Sequence, residues 1–250
     1  MAIQLGSPVR IRTICFDATG TLFDVREPVG TTYARLAERC GMLADPLRLA
    51  EGFRHALRLA PPLAFPGARA GELPAHERRW WRGIVDAAFA AAGVPAVPAE
   101  LFEAIFSHYA GGGAWRLYDD TLPALAALHC RGYALAIVSN FDSRLTRLVD
   151  ELGIGPLVHA TVCSTRAGAA KPDARIFRHA LELLGARPTE SLHVGDDPAA
   201  DVAGALAAGL RAVCIDRRAE REGAAPSSPP TISSLASLEP LLEGQHRVQE

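Results

Sequence analysis

The sequence predicts an α/β fold, a doubly wound parallel sheet with a block of helices inserted after its first strand. Two observations lead there. Five short apolar, partly β-branched runs recur along the chain, and helical patterns separate the last four of them. The stretch between the first run and the second is different: it is long, mostly helical in pattern, and closed by a glycine triplet.

Residues 12–16 form the first predicted strand. In the block that follows, residues 33–39 place Ala34, Leu36 and Ala37 on one periodic face, and residues 47–59 make a second helix. A connection rich in Pro and Gly (Pro61, Pro62, Pro66, Gly67, Gly71, Pro74) leads to helices over 75–92 and 99–109. Gly111, Gly112 and Gly113 suit a hinge, because glycine has little conformational preference. The sheet resumes with strands over 133–138, 160–163, 191–194 and 211–215, joined by helical crossovers expected to be right-handed. A Rossmann-like core is thus expected over 1–24 and 113–250, with the helical block over 25–112. Pro226, Pro229 and Pro230 mark a late loop, and the last residues are expected to fray.

Of the 250 residues, 49% are hydrophobic and 22% charged, which is ordinary for a globular chain. A formal net charge of -2 gives no bulk attraction to nucleic acid or to an anionic membrane. Cys15, Cys40, Cys130, Cys163 and Cys214 are scattered, odd in number and form no CxxC pair. They read as small buried apolar residues in a reducing compartment rather than as a disulfide or zinc framework. The opening MAIQLGSPVR has no apolar segment of a secretory signal. The most apolar stretch, 87–97, is broken by Gly93 and Pro95 and falls short of the roughly 20 apolar residues a membrane span needs. A cytoplasmic location with no evident protein partner is the expectation.

Four motifs carry chemistry, and each falls at the carboxyl end of a predicted strand or at the start of the next helix. Open α/β sheets bind ligands there. Phe16-Asp17-Ala18-Thr19-Gly20-Thr21 places a carboxylate at the first strand end. A carboxylate can attack phosphorus and split one displacement into two, although an Asp there can also cap a turn. Ser139-Asn140 offers a hydroxyl and an N–H for phosphate oxygens, or simply shapes its turn. Lys171, before Pro172 and Asp173, can offset the charge of a nucleophile and a transferring phosphoryl group; most lysines are merely solvated. Asp196 and Asp197, with Asp201 beyond them, make an oxygen-rich site of the kind Mg²⁺ prefers. Asp197 capping the helix and Asp201 on a solvated face is the plainer alternative. The joint occurrence is stronger than any part, because a doubly wound sheet brings all these ends to one edge.

These residues, in this order, resemble the haloacid-dehalogenase superfamily of hydrolases. The inserted helices resemble its helical cap. The resemblance is greatest to the type called haloacid-dehalogenase-like hydrolase domain-containing protein three, or rhythmically expressed gene two. It extends through Pro28-Val29-Gly30, Tyr33-Ala34, Gly52-Phe53-Arg54, Phe65-Pro66, Trp80-Trp81, Trp115, Ser139-Asn140-Phe141-Asp142 and Lys171-Pro172-Asp173, up to about Ile215. It implies that Asp17 is nucleophile and metal ligand, with the Thr19 carbonyl and Asp196 as the other Mg²⁺ ligands. Ser139 and the Asn140 N–H would hold phosphate, and Lys171 would brace nucleophile and phosphate. Asp201, and less surely Asp197, would act from behind the metal ligands.

One departure matters. Phosphatases of the superfamily usually carry a second Asp two residues after the nucleophile, to protonate the leaving group and activate water. Thr19 stands there, and a hydroxyl does not titrate usefully near neutrality. The leading expectation is a Mg²⁺-dependent phosphohydrolase of a small phosphorylated metabolite, working through an aspartyl phosphate with weak acid catalysis. A metal-free 2-haloacid dehalogenase, or a binding and regulatory protein of low turnover, are the alternatives. Trp80 and Trp81 point about 100° apart on a helix, so at least one is expected to pack into the core. The dispersed histidines, His193 included, are not expected to be catalytic.

Overall fold

The computed structural model describes residues 10–94, 96–218 and 229–243. The chain runs through β1 (Thr13–Phe16) and a tight turn, then leaves the core as β2 (Phe23–Val25). Four helices follow: α1 (Val29–Arg39), α2 (Pro46–Leu59), α3 (Leu73–Ala91) and α4 (Ala99–His108). The chain returns as β3 (Trp115–Leu117), which pairs antiparallel with β2. Then come α5 (Thr121–Cys130), β4 (Ala134–Ser139), α6 (Leu145–Glu151), β5 (Ala160–Cys163), α7 (Ser164–Ala167) and α8 (Ala174–Leu184). β6 (Ser191–Gly195) leads through a π-helical turn, Pro198–Ala203, into α9 (Gly204–Ala207). β7 (Arg211–Ile215), β8 (Thr231–Ile232) and α10 (Leu238–Glu243) complete the described chain.

The main sheet has the order β5-β4-β1-β6-β7-β8 and is parallel throughout. β1 lies in the interior of the sheet, and all four of its residues are buried. That explains its unbroken apolar run: a parallel strand is covered on both faces. Successive side chains serve opposite cores. Ile14 and Phe16 pack with Leu125, Leu128, Leu145 and Leu148 on one face. Cys15 packs with Ile176, Phe177 and Ala180 of α8 on the other. β1 pairs with β4 on one side and β6 on the other, so its carboxyl end lies where the strand order reverses.

The four helices form a separate core, centred on Tyr33, Leu49, Phe89, Leu101 and Ile105. Tyr33 stacks on Phe89 with ring centroids 5.8 Å apart. This block is tied down where α3 meets the core. Glu77 is buried and accepts from Ser143 N–H (2.9 Å), Ser143 Oγ (2.6 Å) and Thr165 Oγ1 (2.6 Å). One helical turn on, Trp81 Nε1 donates to Asp142 Oδ2 at 2.6 Å. Asp142 is fully buried and also pairs with Arg144.

Several expectations need correction. The sheet has a sixth strand, β8, at its edge, and the β2–β3 ribbon was not expected. At the glycine triplet, Gly112 N–H donates to Glu151 Oε2 at 2.6 Å, and Gly113 C=O accepts from Arg26 Nε at 3.1 Å. Trp81 packs against the helical core, as expected of at least one of the pair; both tryptophans are half-buried with their N–H bonded, that of Trp80 to Pro61 C=O at 2.9 Å. Of the cysteines, all free, only Cys15 and Cys163 are buried, and Cys130 is exposed. Pro229 and Pro230 lie in a loop, as expected, and Pro230 C=O accepts from Cys214 N–H on the approach to β8. Pro226, the opening MAIQLGSPVR up to Val9, and the last residues from Gly244 lie outside the described residues. Among the described residues, no helix is long and apolar enough to cross a membrane.

Candidate active site

Asp17 follows β1 directly, and its N–H donates to Val194 C=O of β6 at 2.9 Å, which keeps the two strand ends level. The backbone then winds tightly, with Ala18 C=O accepting from Leu22 (2.8 Å) and Phe23 (3.1 Å). Gly20 lies in this turn at φ 83°, and a Cβ there would come within 2.5 Å of Asp196 Oδ2. Only glycine lets the turn pass so close beneath the Asp196 carboxylate. Gly195 does the same for Asp201, whose Cγ would lie 2.2 Å from an added Cβ.

Lys171, just before α8, is buried. Its Nζ lies 2.5 Å from Asp17 Oδ1 and 2.5 Å from Asp201 Oδ1. Its backbone is clamped by one side chain: Asn140 Oδ1 accepts from Lys171 N–H (2.7 Å), and Asn140 Nδ2 donates to Lys171 C=O (2.9 Å). Asp201 Oδ1 also accepts from His193 Nε2 at 2.9 Å, and Asp201 Oδ2 accepts from Asp197 N–H at 3.0 Å.

Burial shapes the charges. It pushes the Asp17 carboxyl above its ordinary range, against the pull of Lys171. Burial also disfavours charge on Asp201, but His193 and Lys171 outweigh it and hold that carboxyl well below the usual range. Burial opposes the Lys171 charge too, yet Asp17 and Asp201 hold its ammonium above the ordinary lysine value. Asp196, which has no such cation in contact, is pushed up to about 7 by desolvation and by the charges of Asp17 and Asp201.

The structure therefore brings Asp17, Lys171, Asp196 and Asp201 together. Ser139 is buried at the end of β4, and Asn140 follows it with an exposed backbone position. Thr19 lines an open polar cleft of about 740 Å³ together with Gly20, Asp24, Tyr118, Asp196 and Arg217. Asp197 does not join the cluster through its side chain: Oδ1 caps the π-helical turn, accepting from Ala199 N–H (2.8 Å) and Ala200 N–H (2.9 Å). Its plainer reading is the one the geometry supports. Asp201 is not on a solvated face but buried.

The site's donors suit a hard divalent cation. One oxygen from each of Asp17, Asp196 and Asp201 lies within 4.8 Å of the others. Both Asp201 oxygens accept hydrogen bonds, and Asp17 accepts from Lys171 on one oxygen. Desolvation first, and then the charges of Asp17 and Asp201, raise the Asp196 carboxyl, and a bound cation would oppose that rise.

Sequence reasoning missed two contributors. Asp24 and Tyr118 face the cleft from β2 and from just beyond β3, and burial, then the Asp24 charge, hold the Tyr118 hydroxyl above its ordinary value. Neither stands in a strand-end motif, and the ribbon that presents them had no periodic signal. His193, expected to be a core or supporting residue rather than a catalytic one, is buried behind Asp201. A separate cavity of about 70 Å³, lined by Tyr33, Phe53, Trp81, Phe106, Trp115 and Phe141, lies between the helical block and the core.

A model of the haloacid dehalogenase-like hydrolases matches residues 11–209. The chain is 32% identical over 242 residues to haloacid dehalogenase-like hydrolase domain-containing protein 3 of Homo sapiens, covering 94% of this chain and 95% of that one. It is 28% identical over 224 residues to the rhythmically expressed gene 2 protein of Drosophila melanogaster, covering 84% of each. The solved HAD-hydrolase YfnB of Bacillus subtilis, bound to magnesium, superposes with a TM-score of 0.73 at 20% identity, covering 94% of this chain and 99% of that one. At that identity the likeness shows the fold alone. With the strand order, the strand-end acids and the sequence match in agreement, the chain belongs to the haloacid dehalogenase-like hydrolases.

Proposed function

We propose that this hydrolase is a Mg²⁺-dependent phosphatase of a small phosphorylated metabolite. The observation that carries the reading is Asp17, at the end of β1, bonded to Lys171 on one oxygen with Asp196 at the adjoining strand end. Asp17, the Thr19 carbonyl and Asp196 would hold the cation, which supplies positive charge against the anionic phosphate oxygens.

The chain's own residues do the rest. Lys171 holds Asp17 Oδ1, so the other oxygen is the one to attack phosphorus. The new Asp17–phosphorus bond forms as the bond to the leaving oxygen breaks. Ser139 and the Asn140 N–H hold the transferred oxygens, and Lys171 has a third N–H to direct at them. Water then attacks phosphorus, frees phosphate and restores Asp17. Thr19 offers no titratable proton for the leaving oxygen, so leaving groups that depart without protonation are favoured. The helices of 25–112 act as a cap that shields the site from water. The five free cysteines fit a reducing, cytoplasmic setting.

Thr19 is also the observation that favours the second reading, a 2-haloacid dehalogenase in which Asp17 attacks carbon. A release assay over phosphorylated metabolites and 2-haloacids, with Mg²⁺ and with EDTA, separates them. Phosphate release that requires Mg²⁺ and vanishes in Asp17→Asn supports the phosphatase. Halide release that persists in EDTA replaces it.

A further inference from the structure

We propose that His193 is a positioning residue for Lys171, acting through Asp201. The inference rests on the phosphatase reading only in its kinetic arm.

His193 sits on β6, paired in register with Cys15 of β1 and Ala212 of β7, and is fully buried. Its neighbours on that face are apolar: Cys15, Ala212 and Phe177 belong to one core cluster. Phe177 meets the imidazole edge-on, with ring centroids 5.0 Å apart. A Leu or Phe would suit this layer better, since a polar ring there must be desolvated. One ring nitrogen, Nδ1, is buried and has no partner among the described residues. The other, Nε2, lies 2.9 Å from Asp201 Oδ1. The carboxylate can only accept, so Nε2 carries the proton and donates. Burial keeps the ring neutral by lowering its affinity for a second proton. The polar function of His193 is therefore confined to a single hydrogen bond.

That bond lands on the oxygen that matters. Asp201 Oδ1 is shared between His193 Nε2 and Lys171 Nζ, while Oδ2 takes the Asp197 N–H. Two fixed donors, one on each oxygen, set the plane of the carboxylate. With the plane set, Oδ1 presents its remaining direction to Lys171, whose Nζ must reach Asp17 Oδ1 at the same 2.5 Å. Without His193 the carboxylate keeps the Asp197 N–H and Lys171 itself, so Oδ1 loses the one donor that does not move with the lysine. Lys171 then loses the fixed anion that keeps its ammonium between the two acids. Groups one step behind reactive residues commonly change activity roughly 10–100-fold in this way.

The test compares His193→Leu and His193→Gln. Glutamine keeps an amide N–H of similar reach; leucine fits the apolar layer and donates nothing. On an aryl phosphate with Mg²⁺, His193→Leu should lower kcat by roughly tenfold or more with KM changed less than about twofold, while thermal melting stays level or rises. His193→Gln should recover most of the lost kcat. Imidazole ¹⁵N shifts of the wild type should show the Nε2–H tautomer. A crystal structure of His193→Leu should show the Asp201 carboxylate turned and Lys171 Nζ displaced from Asp17. That structure decides the matter even if no phosphatase activity is found in the wild type. Asp201 and Lys171 unmoved in His193→Leu, an unchanged kcat, glutamine no better than leucine, or an Nδ1–H tautomer would each overturn the proposal.

Discussion

Lys171 Nζ donates to Asp17 Oδ1 across 2.5 Å, although 154 residues separate the two in sequence. The contact exists because the Lys171 loop is pinned by Asn140 at the end of the neighbouring strand. Lys171→Met should lower kcat by roughly 10²–10³-fold, the usual loss for one preorganised electrostatic donor. It also leaves Asp17 and Asp201 buried without their cation, and removing one partner of a buried ion pair costs about 3–5 kcal/mol. Steady-state kinetics and urea denaturation measure the two effects. A variant with the wild-type rate would take Lys171 out of the mechanism.

Mg²⁺ should bind the wild type and bind Asp196→Asn at least about tenfold more weakly, since Mg²⁺ strongly prefers anionic oxygen. Titration calorimetry gives both affinities. Equal values would remove the metal assignment.

Asp196 also predicts a pH dependence for the metal-free protein. Its carboxyl is raised from 3.8 to about 7 in the folded state, by desolvation first and then by Asp17 and Asp201. A group raised on folding binds its proton more tightly in the native state than in the unfolded chain. Its contribution is therefore full at low pH, falls as pH rises through the unfolded value, and is lost by about 7. Asp196 is exposed, so solvent screening keeps the slope shallow. Melting curves between about pH 4 and pH 8 should fall more steeply for the wild type than for Asp196→Asn. Parallel curves would show that Asp196 is ionised without strain.

The parts of this fold legible in sequence are those fixed by local pattern. β1 and β4 to β7 show as apolar runs because parallel strands are covered on both faces. The motif acids were legible because a strand end has one position, and the sheet carries it to the common edge. β8 has two residues and the β2–β3 ribbon three a side, too short for any period to register. Glu77 was invisible for another reason. Its partners Ser143 and Thr165 lie 66 and 88 residues away, and a glutamate on a helix ordinarily faces water. The Asn140 side chain was assigned no role, because its clamp on Lys171 depends on a loop 31 residues on.

Glu77 makes the docking of the helical block testable. Glu77→Ala leaves the Ser143 and Thr165 donors without their acceptor, and bonds to a charged group are worth about 1.5–3 kcal/mol each. The variant should lose about 3 kcal/mol or more and exchange amide hydrogens faster at the segments near Phe23 and Gly112. In the wild type a metallofluoride phosphate analogue should slow exchange at those same segments. Unchanged exchange despite demonstrated binding would count against a closing cap.

Thr19 gives the sharpest kinetic prediction. An aryl phosphate leaves without a proton, so the first step should proceed with Asp17 and Lys171 alone. An alkyl phosphate leaves as a much stronger base and needs the acid that position 19 lacks. The second step is slowed too, because nothing titratable there activates water. The wild type should therefore hydrolyse aryl or acyl phosphates slowly and accumulate the aspartyl phosphate, which acid quenching traps. Thr19→Asp should raise alkyl-phosphate turnover by up to roughly 10²-fold. The gain is limited because a new carboxylate joins Asp17 and Asp196, and their repulsion raises its own affinity for a proton. Asp24 and Tyr118 line the same cleft as Thr19. If the wild type turns over alkyl phosphates as fast as aryl ones and traps no intermediate, a proton donor other than position 19 is at work. Loss of alkyl but not aryl turnover in Asp24→Asn would then assign that donor to Asp24.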